Sequence, residues 1–377
     1  MDIGSCNSYL VVDLRKIKKN VERINKHIGD NCSLMPVIKG NAYGHGLQEI
    51  AKYYYEKCGI KIIACAQVFE AIKIRNAGVD CELFVMGGIP YNNIEDILKY
   101  DIQVPVFTKE FAEKISSIAQ ENNKKIKVHI KIETGLNRIG VTAGRELEKL
   151  IMEIKDLKGI EIVGAFTHFA ESEEIDKSYS YKQLDLFKKA LDQIKESGIK
   201  LTYIHTCNAA AVPWFKEAHY NLVRTAGLPM GYDPNLDINN RLGVESAITW
   251  KAFITNVKYV EEGQTVGYNR KYKAQKKTKV ATLSFGYGDG YIRSLAFKGA
   301  EVLVKGKRAP FIGICMDQSF IDVTHIDDVN INDQITIIGK DKDEEISVFE
   351  LDRILSEPYV YPLCSIGQRV KRIYIED

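Results

Sequence analysis

The sequence predicts an α/β fold, a (β/α)8 barrel of the TIM type followed by a mainly β C-terminal domain. Short apolar runs alternate with helical patterns eight times between residues 34 and 225, which is how parallel βαβ units close into a barrel. From about residue 243 the alternation stops, and strand-like runs follow one another with turn residues between them. At 377 residues the chain is long for one domain and comfortable for two. The expected boundaries are 8–242 for the barrel and 243–377 for the second domain, with residues 1–7 left to pack with the latter.

Residues 13–28 set Leu14, Ile17, Val21, Ile24 and Ile28 at helical spacing with Lys and Arg between them, so an amphipathic helix precedes the first barrel strand. The eight strand candidates are Leu34 to Ile38, Lys61 to Ala66, Leu83 to Met86, Gln103 to Phe107, Lys127 to Ile132, Ile162 to Phe169, Leu201 to Cys207 and Asn221 to Thr225. Among the intervening helices, Leu147, Leu150, Ile151 and Ile154 share a face, as do Tyr181, Leu184, Phe187, Leu191 and Ile194. The second domain offers Thr249 to Val260, Thr278 to Phe285, Glu301 to Val304, Ala309 to Ile314, Gln334 to Ile338 and Arg369 to Ile375 as strands, with one short helix at about Ser347 to Ser356. Gly263, Lys305-Gly306-Lys307 and Asn332-Asp333 punctuate them as turns.

Lys+Arg number 52 against 50 Asp+Glu, a net charge of +2, and no basic run is dense enough to suggest nucleic acid. The eight cysteines show no paired zinc spacing, so no metal is expected, and several lie in apolar runs as reduced thiols of a cytoplasmic protein would. Neither a signal-peptide pattern nor an apolar run near 18 residues is present, which reads as a soluble chain without a membrane partner.

One stretch draws the rest together: Val37-Ile38-Lys39-Gly40-Asn41-Ala42-Tyr43-Gly44-His45-Gly46. An apolar run ends in a lysine and passes at once into a glycine-rich turn. Burial of Lys39 would lower its pKa towards a free amine able to condense with a carbonyl as a Schiff base. Gly40, Gly44 and Gly46 would let the backbone approach a ligand such as a phosphate. The same residues also suit a lysine that snorkels at a strand end before an ordinary turn.

The stretch resembles the cofactor-lysine motif of the alanine racemase family, pyridoxal 5'-phosphate (PLP) enzymes whose usual form reads Val-Val-Lys-Ala-Asn-Ala-Tyr-Gly-His-Gly; only Ile38 and Gly40 differ. Further blocks follow in order. Lys131-Ile132-Glu133-Thr134-Gly135-Leu136-Asn137-Arg138 is similar to the family's Lys-x-Asp-Thr-Gly-Met-x-Arg, Gly286-Tyr287-Gly288-Asp289-Gly290 to its Gly-Tyr-x-Asp-Gly, and Cys315-Met316-Asp317-Gln318 to its Cys-Met-Asp-Gln.

The resemblance implies roles. Lys39 is the cofactor lysine and one catalytic base, and Tyr268, after Gly267, is the other, reaching the site from the partner subunit of a homodimer with shared active sites. His168 lies against the pyridine ring, and Arg224 faces the pyridine nitrogen, where it stays a donor that keeps the nitrogen unprotonated. Tyr43, Asn208 and the amides of Ala226 and Gly227 take the phosphate. Arg138 faces the cofactor's phenolic oxygen and the substrate carboxylate, oriented by Lys131 when that lysine is carbamylated; the plain alternative pairs Lys131 with Glu133. Tyr287, Met316 and Gln368 line the substrate side. Each barrel residue falls at the C-terminal end of a strand, where barrel enzymes gather their chemistry.

Three departures from the family pattern bear on function. Ala209 stands where relatives carry serine after the asparagine, so one phosphate hydrogen bond is missing or comes from elsewhere. Gln368 stands where alanine-specific relatives carry tyrosine, and Gly313 where an arginine is common. The expected activity is racemisation of alanine, with serine or a broader range of amino acids as the alternative. A non-catalytic PLP-binding barrel is the alternative outside the class, and the second domain with Tyr268 and Met316 argues against it.

Overall fold

The computed structural model describes residues 4–235, 242–356, 358 and 360–376. The described chain divides into two compact units: one comprises Lys16–Ala42 and Leu47–Glu245, the other the residues up to Arg15, Tyr43–Gly46 and the chain from Ser246.

The first unit holds eight parallel strands, Ser33–Pro36, Ile62–Cys65, Glu82–Val85, Ile102–Val106, Ile126–Glu133, Ile160–Phe166, Tyr203–His205 and Leu222–Thr225. Each pairs with the next or is bridged to it, Val37 to Ala64 and the Arg224 amide to the Cys207 carbonyl. Leu222–Thr225 returns to Ser33–Pro36 in parallel register, which closes the ring. All eight strand candidates are present. Met35, Val37, Ile62, Ala64, Phe84, Phe166 and Leu222 form an apolar cluster with it. A second set of fully buried side chains is polar: Gln103, His129, Lys131, His205 and Arg224. Gly164 makes room for this set, since a Cβ there would stand 2.2 Å from His129 Nδ1. The helical stripe Leu147, Leu150, Ile151 and Ile154 is buried as its spacing requires. Tyr181 is a correction, 46% exposed and set edge-on to Phe215 at 4.7 Å, while Ser180, Gln183, Leu184, Phe187, Ala190 and Ile194 make the buried face of its helix.

In the second unit, Ile248–Val260, Thr278–Leu283, Ser319–Asp322, Lys307–Ile314, Glu301–Val304 and Gln334–Asp341 pair antiparallel in that order. Gln334–Asp341 pairs back to Ile248–Val260, so these six also form a closed barrel. Trp250, Phe285, Tyr291 and Phe311 fill its interior with tilted and edge-on ring contacts. The strand Ser8–Asp13 lies here as well, antiparallel to Ile248–Val260 and parallel to Lys371–Ile375. The expected start of the (β/α)8 barrel at residue 8 therefore shifts to Lys16, because the eight-stranded ring closes without this strand.

Candidate active site

Lys39 follows the first barrel strand and opens a left-handed turn. Gly40, Asn41 and Ala42 have φ of 62°, 57° and 53°, and Tyr43 continues at 51°. L-residues resist this conformation by about 1–2 kcal/mol each, so neighbours must hold it. The Gly40 amide donates to Glu70 Oε1 at 2.7 Å, while Glu70 Oε2 takes the amides of Ala66 and Gln67 at the end of the second strand. The Asn41 side chain accepts from the Leu47 amide at 2.9 Å. A buried carboxylate thus fixes the strained turn that presents Lys39, which is half-buried. Gly44 serves packing more than ligand approach: a Cβ there would stand 2.2 Å from the Leu363 carbonyl oxygen, and Tyr43–Gly46 groups with the second unit.

Arg224, on the eighth strand, is 2% exposed and held by acceptors from its neighbours. Its Nη1 donates to His205 Nδ1 at 2.7 Å and the His205 carbonyl at 2.9 Å; its Nη2 donates to the carbonyls of Thr167 and Thr206 and to His168 Nδ1 at 3.3 Å. Burial and the nearby Arg138 lower its pKa to about 10, so it remains a cation at neutral pH. A guanidinium only donates, which settles the tautomers behind it. His205 Nδ1 must accept, so His205 Nε2 carries the hydrogen and donates to His129 Nδ1 at 2.9 Å; His129 Nε2 in turn donates to Gln103 Oε1 at 2.8 Å. Burial and then Arg224 hold both imidazoles neutral, His129 at about 3 and His205 well below its ordinary value. His168 is likewise pushed well down, by burial first and then by Arg224, Arg138, Lys131 and Lys39. The imidazole is therefore neutral: its Nδ1 accepts from Arg224 and its Nε2 carries the hydrogen.

Lys131 is 2% exposed, and its Nζ donates to the Ile132 carbonyl at 2.7 Å. Burial lowers its pKa to about 7; Glu133 works against that shift, and Arg224 and Arg138 add to it. The expected alternative, a Lys131–Glu133 pair, forms no ion pair within 4 Å, because Glu133 Oε1 turns to the Gly135 amide at 2.5 Å and caps its own loop. Arg138 lies exposed at the end of that loop. Asn208 lies three residues past the seventh strand, Tyr203–His205, and Ala226 caps the short helix Gly227–Met230 after the eighth.

In the second unit three segments are joined through their backbones. The Tyr287 and Gly288 amides donate to the carbonyls of Cys315 and Met316 at 3.1 and 2.8 Å, and the Gly367 amide donates to the Asp289 carbonyl at 2.9 Å. Tyr287, Met316 and Gln368 are thereby brought together, all three exposed. Arg369 reinforces the junction through Asp317 at 2.7 Å and Asp289 at 3.5 Å. Tyr268 stands on its own turn between Thr265–Val266 and Tyr272–Lys273, 75% exposed.

Sequence reasoning missed Glu70, Gln103, His129, His205 and Arg369. For His129 a signal existed: Lys127, His129, Lys131 and Glu133 alternate with apolar residues along the strand, which sends their side chains to one face. Among the described residues no group of three or more His, Cys, Asp or Glu is placed to hold a metal, and no helix is long and apolar enough to cross a membrane.

Such a set, a lysine on a strained turn among cations and neutral histidines at the strand ends of a barrel, can be compared with known proteins. Residues 12–233 match the family model described as "Alanine racemase, N-terminal domain", and residues 247–374 match "Alanine racemase, C-terminal domain". An alanine racemase of Clostridium tetani is 36% identical over 368 residues, 97% of this chain and 95% of that protein. The solved alanine racemase of Clostridium difficile 630 superposes with a TM-score of 0.95 at 31% identity, covering 100% of this chain and 97% of the other. A Bartonella henselae alanine racemase with covalently bound pyridoxal phosphate superposes with a TM-score of 0.87 at 25% identity, covering 98% and 100%. The two family models and the relatives cover nearly the whole length, and the chain belongs to the alanine racemase family.

Proposed function

We propose that this chain is a PLP-dependent amino-acid racemase that interconverts L- and D-alanine with two bases, Lys39 and Tyr268 of the partner subunit. The observation that carries the reading is the buried Arg224 at the end of the eighth strand, hydrogen-bonded to Nδ1 of a half-buried His168, within a chain that matches the family over residues 12–233 and 247–374.

The barrel residues fit the cofactor chemically. The basic groups Lys39, Arg138 and Arg224 suit an anionic ligand, and PLP brings a phosphate and a phenolic oxygen. Among the described residues Arg224 Nε–H has no protein acceptor, while both Nη atoms are fully engaged, so one donor remains for a ring nitrogen. Lys39 would hold the cofactor covalently. Tyr43, Asn208 and the amides of Ala226 and Gly227 would take the phosphate, Arg138 the phenolic oxygen, and His168 the ring face. Bound PLP supplies the conjugated electron sink that acidifies the hydrogen on the substrate α-carbon.

The chain's own groups supply the rest. Lys39 takes or returns the proton on one face, and Tyr268 does so on the other; the exposure of Tyr268 on its own protomer supports a role against a second copy, as a homodimer with shared sites requires. Arg224 keeps the ring nitrogen unprotonated because it has no proton to give at neutral pH. Met316, through its amide, and Arg138 fix the substrate carboxylate, and Tyr287 closes the substrate side. Lys131, about half free amine near pH 7, attacks carbon dioxide: a nitrogen–carbon bond forms, one carbon–oxygen π pair becomes carboxylate, and a proton leaves. The resulting anion orients Arg138. The eight cysteines form no disulfide, which supports action in the cytoplasm.

Gln368, exposed where alanine-specific relatives carry tyrosine, favours a second reading in which serine or a larger substrate is accepted. Purified protein loaded with PLP is assayed by circular dichroism with L-alanine, L-serine and larger amino acids. A tenfold preference for alanine in kcat/KM, about 1.4 kcal/mol, fixes alanine as substrate. Equal or faster serine turnover assigns the second reading, and no turnover with a normal visible cofactor band refutes the racemase.

A further inference from the structure

We propose that Ser172 is the positioning residue that aims the Asn208 amide at the cofactor phosphate, making up for the hydroxyl that Ala209 lacks. The inference rests on the PLP reading above and adds a residue that no motif pointed to.

Ser172 lies in the loop between the sixth barrel strand and the helix Ser178–Glu196, and it is fully buried at 0% exposure. Its Oγ bonds Asn208 Oδ1 at 2.7 Å, and the Ala211 amide bonds the same atom at 3.1 Å. A backbone N–H can only donate, so the atom both groups meet is the carbonyl oxygen and the Ser172 hydroxyl is a second donor to it. With Oδ1 engaged twice, the NH2 group is turned the other way. Among the described residues Nδ2 has no acceptor, at the end of the strand whose loop, with the next, commonly forms the phosphate site of a barrel.

The loop is built to keep Ser172 where it is. Its carbonyl oxygen accepts from Lys177 Nζ at 2.7 Å and from Trp214 Nε1 at 3.1 Å, and Lys177 Nζ sits 4.4 Å from the Trp214 ring centre. The Trp214 ring stacks on Phe215 at 4.4 Å, and Phe215 on Phe169 at 5.4 Å. A loop serine clamped on both sides, with its one hydroxyl hydrogen spent on Asn208, fixes the rotation of that amide. Without the hydroxyl, Oδ1 keeps one bond and the NH2 group loses its fixed direction. An amide N–H to a phosphate oxygen is a charge-assisted bond, sensitive to such a loss.

The test uses the full chain as apoprotein, titrated with PLP and separately with pyridoxal, which lacks the phosphate, and read by the visible band of the lysine-bound cofactor. Ser172→Ala is expected to weaken PLP roughly tenfold and leave pyridoxal unchanged. Asn208→Ala should do at least as much, and the double variant no more than Asn208→Ala alone. Ser172→Cys preserves volume with a weak donor, so it separates orientation from packing: it should lose most of the same factor. Restoration of PLP binding by cysteine, equal loss for PLP and pyridoxal, or additive losses in the double variant would overturn the inference. Wild-type protein that forms no band with either aldehyde overturns the cofactor reading and this inference with it; a normal band unaffected by Ser172→Ala overturns this inference alone.

Discussion

Replacing Lys131 by methionine probes the electrostatics of the barrel interior through a side chain of similar length and no charge. The Lys131 ammonium is 2% exposed and its pKa falls from 10.5 to about 7. At pH 7.5 roughly three quarters of the side chain is then free amine, against about one part in a thousand for a lysine in water. The sign follows from proton counts: between about pH 7 and 10.5 the unfolded chain binds this proton and the folded chain does not, so stability rises with pH across that window. The cost of burial is complete below pH 7 and amounts to roughly 5 kcal/mol before relaxation. The assay is denaturant unfolding of wild type and Lys131→Met in buffer freed of carbon dioxide, at intervals from about pH 6 to 10. Wild type should be the less stable protein at pH 6 and should close the gap as pH rises. Bicarbonate should raise wild-type stability near pH 7.5, add the mass of one carbon dioxide to the intact protein, and leave the methionine variant unmoved. A gap constant with pH and indifferent to bicarbonate refutes both the depressed pKa and the carbamate.

Further outcomes concern the proposed role of Tyr268 and the histidine chain. Tyr268→Phe should cut racemisation in at least one direction while the visible cofactor band stays intact, measured by circular dichroism from each enantiomer; unchanged rates both ways remove the tyrosine from the mechanism. His205→Phe takes one acceptor from Arg224 and one donor from His129, and should cost about 1–3 kcal/mol in chemical denaturation with weaker cofactor retention. Acid should unfold the protein steeply below pH 6.5, because His129, His168 and His205 are held neutral in the fold and take up protons once unfolded, each adding up to about 1.4 kcal/mol per pH unit. His129→Gln should make that limb shallower, and an identical slope refutes the neutral assignment.

The barrel was legible because most of its strands are short runs rich in apolar residues and its helices are amphipathic, so periodicity separated them. Lys39, His168 and Arg224 were legible as polar residues ending apolar runs. The strand Ser8–Asp13 was not read as a strand, and its residues fell inside the bounds expected for the barrel, since nothing local shows that they pair with Ile248–Val260 far along the chain. The same reason hid Ser172: its partner Asn208 is 36 residues away, and a serine in a polar loop carries no sign of burial. Glu70, which holds the Lys39 turn, looks in sequence like an ordinary first-turn helix glutamate. Gly44 was assigned to ligand approach, whereas the obstacle to a side chain there is the Leu363 carbonyl, more than 300 residues later in the chain.

The arginine at position 224 determines more than its own contact. Since it only donates, each ring nitrogen along Arg224, His205, His129 and Gln103 has one allowed role, and the order runs across four strands without an unsatisfied member. Suppose a carboxylate stood at 224, as a protonated ring nitrogen would require. His205 Nδ1 would have to donate to it, His205 Nε2 would accept, His129 would reverse in turn, and Gln103 would have to present its NH2 group where its oxygen now sits. The cavity around Lys131 and Arg138 would exchange a cation for an anion at the same moment, and the imidazoles would gain a reason to protonate. Arg224→Glu should therefore fail twice, once at the ring nitrogen and once in the core, while Arg224→Glu with Gln103→Glu should remain worse than either, because a carboxylate at 103 suits only the original direction. The electronic character of the site is thus built into the barrel's interior packing, and substitution at position 224 alone cannot reset it.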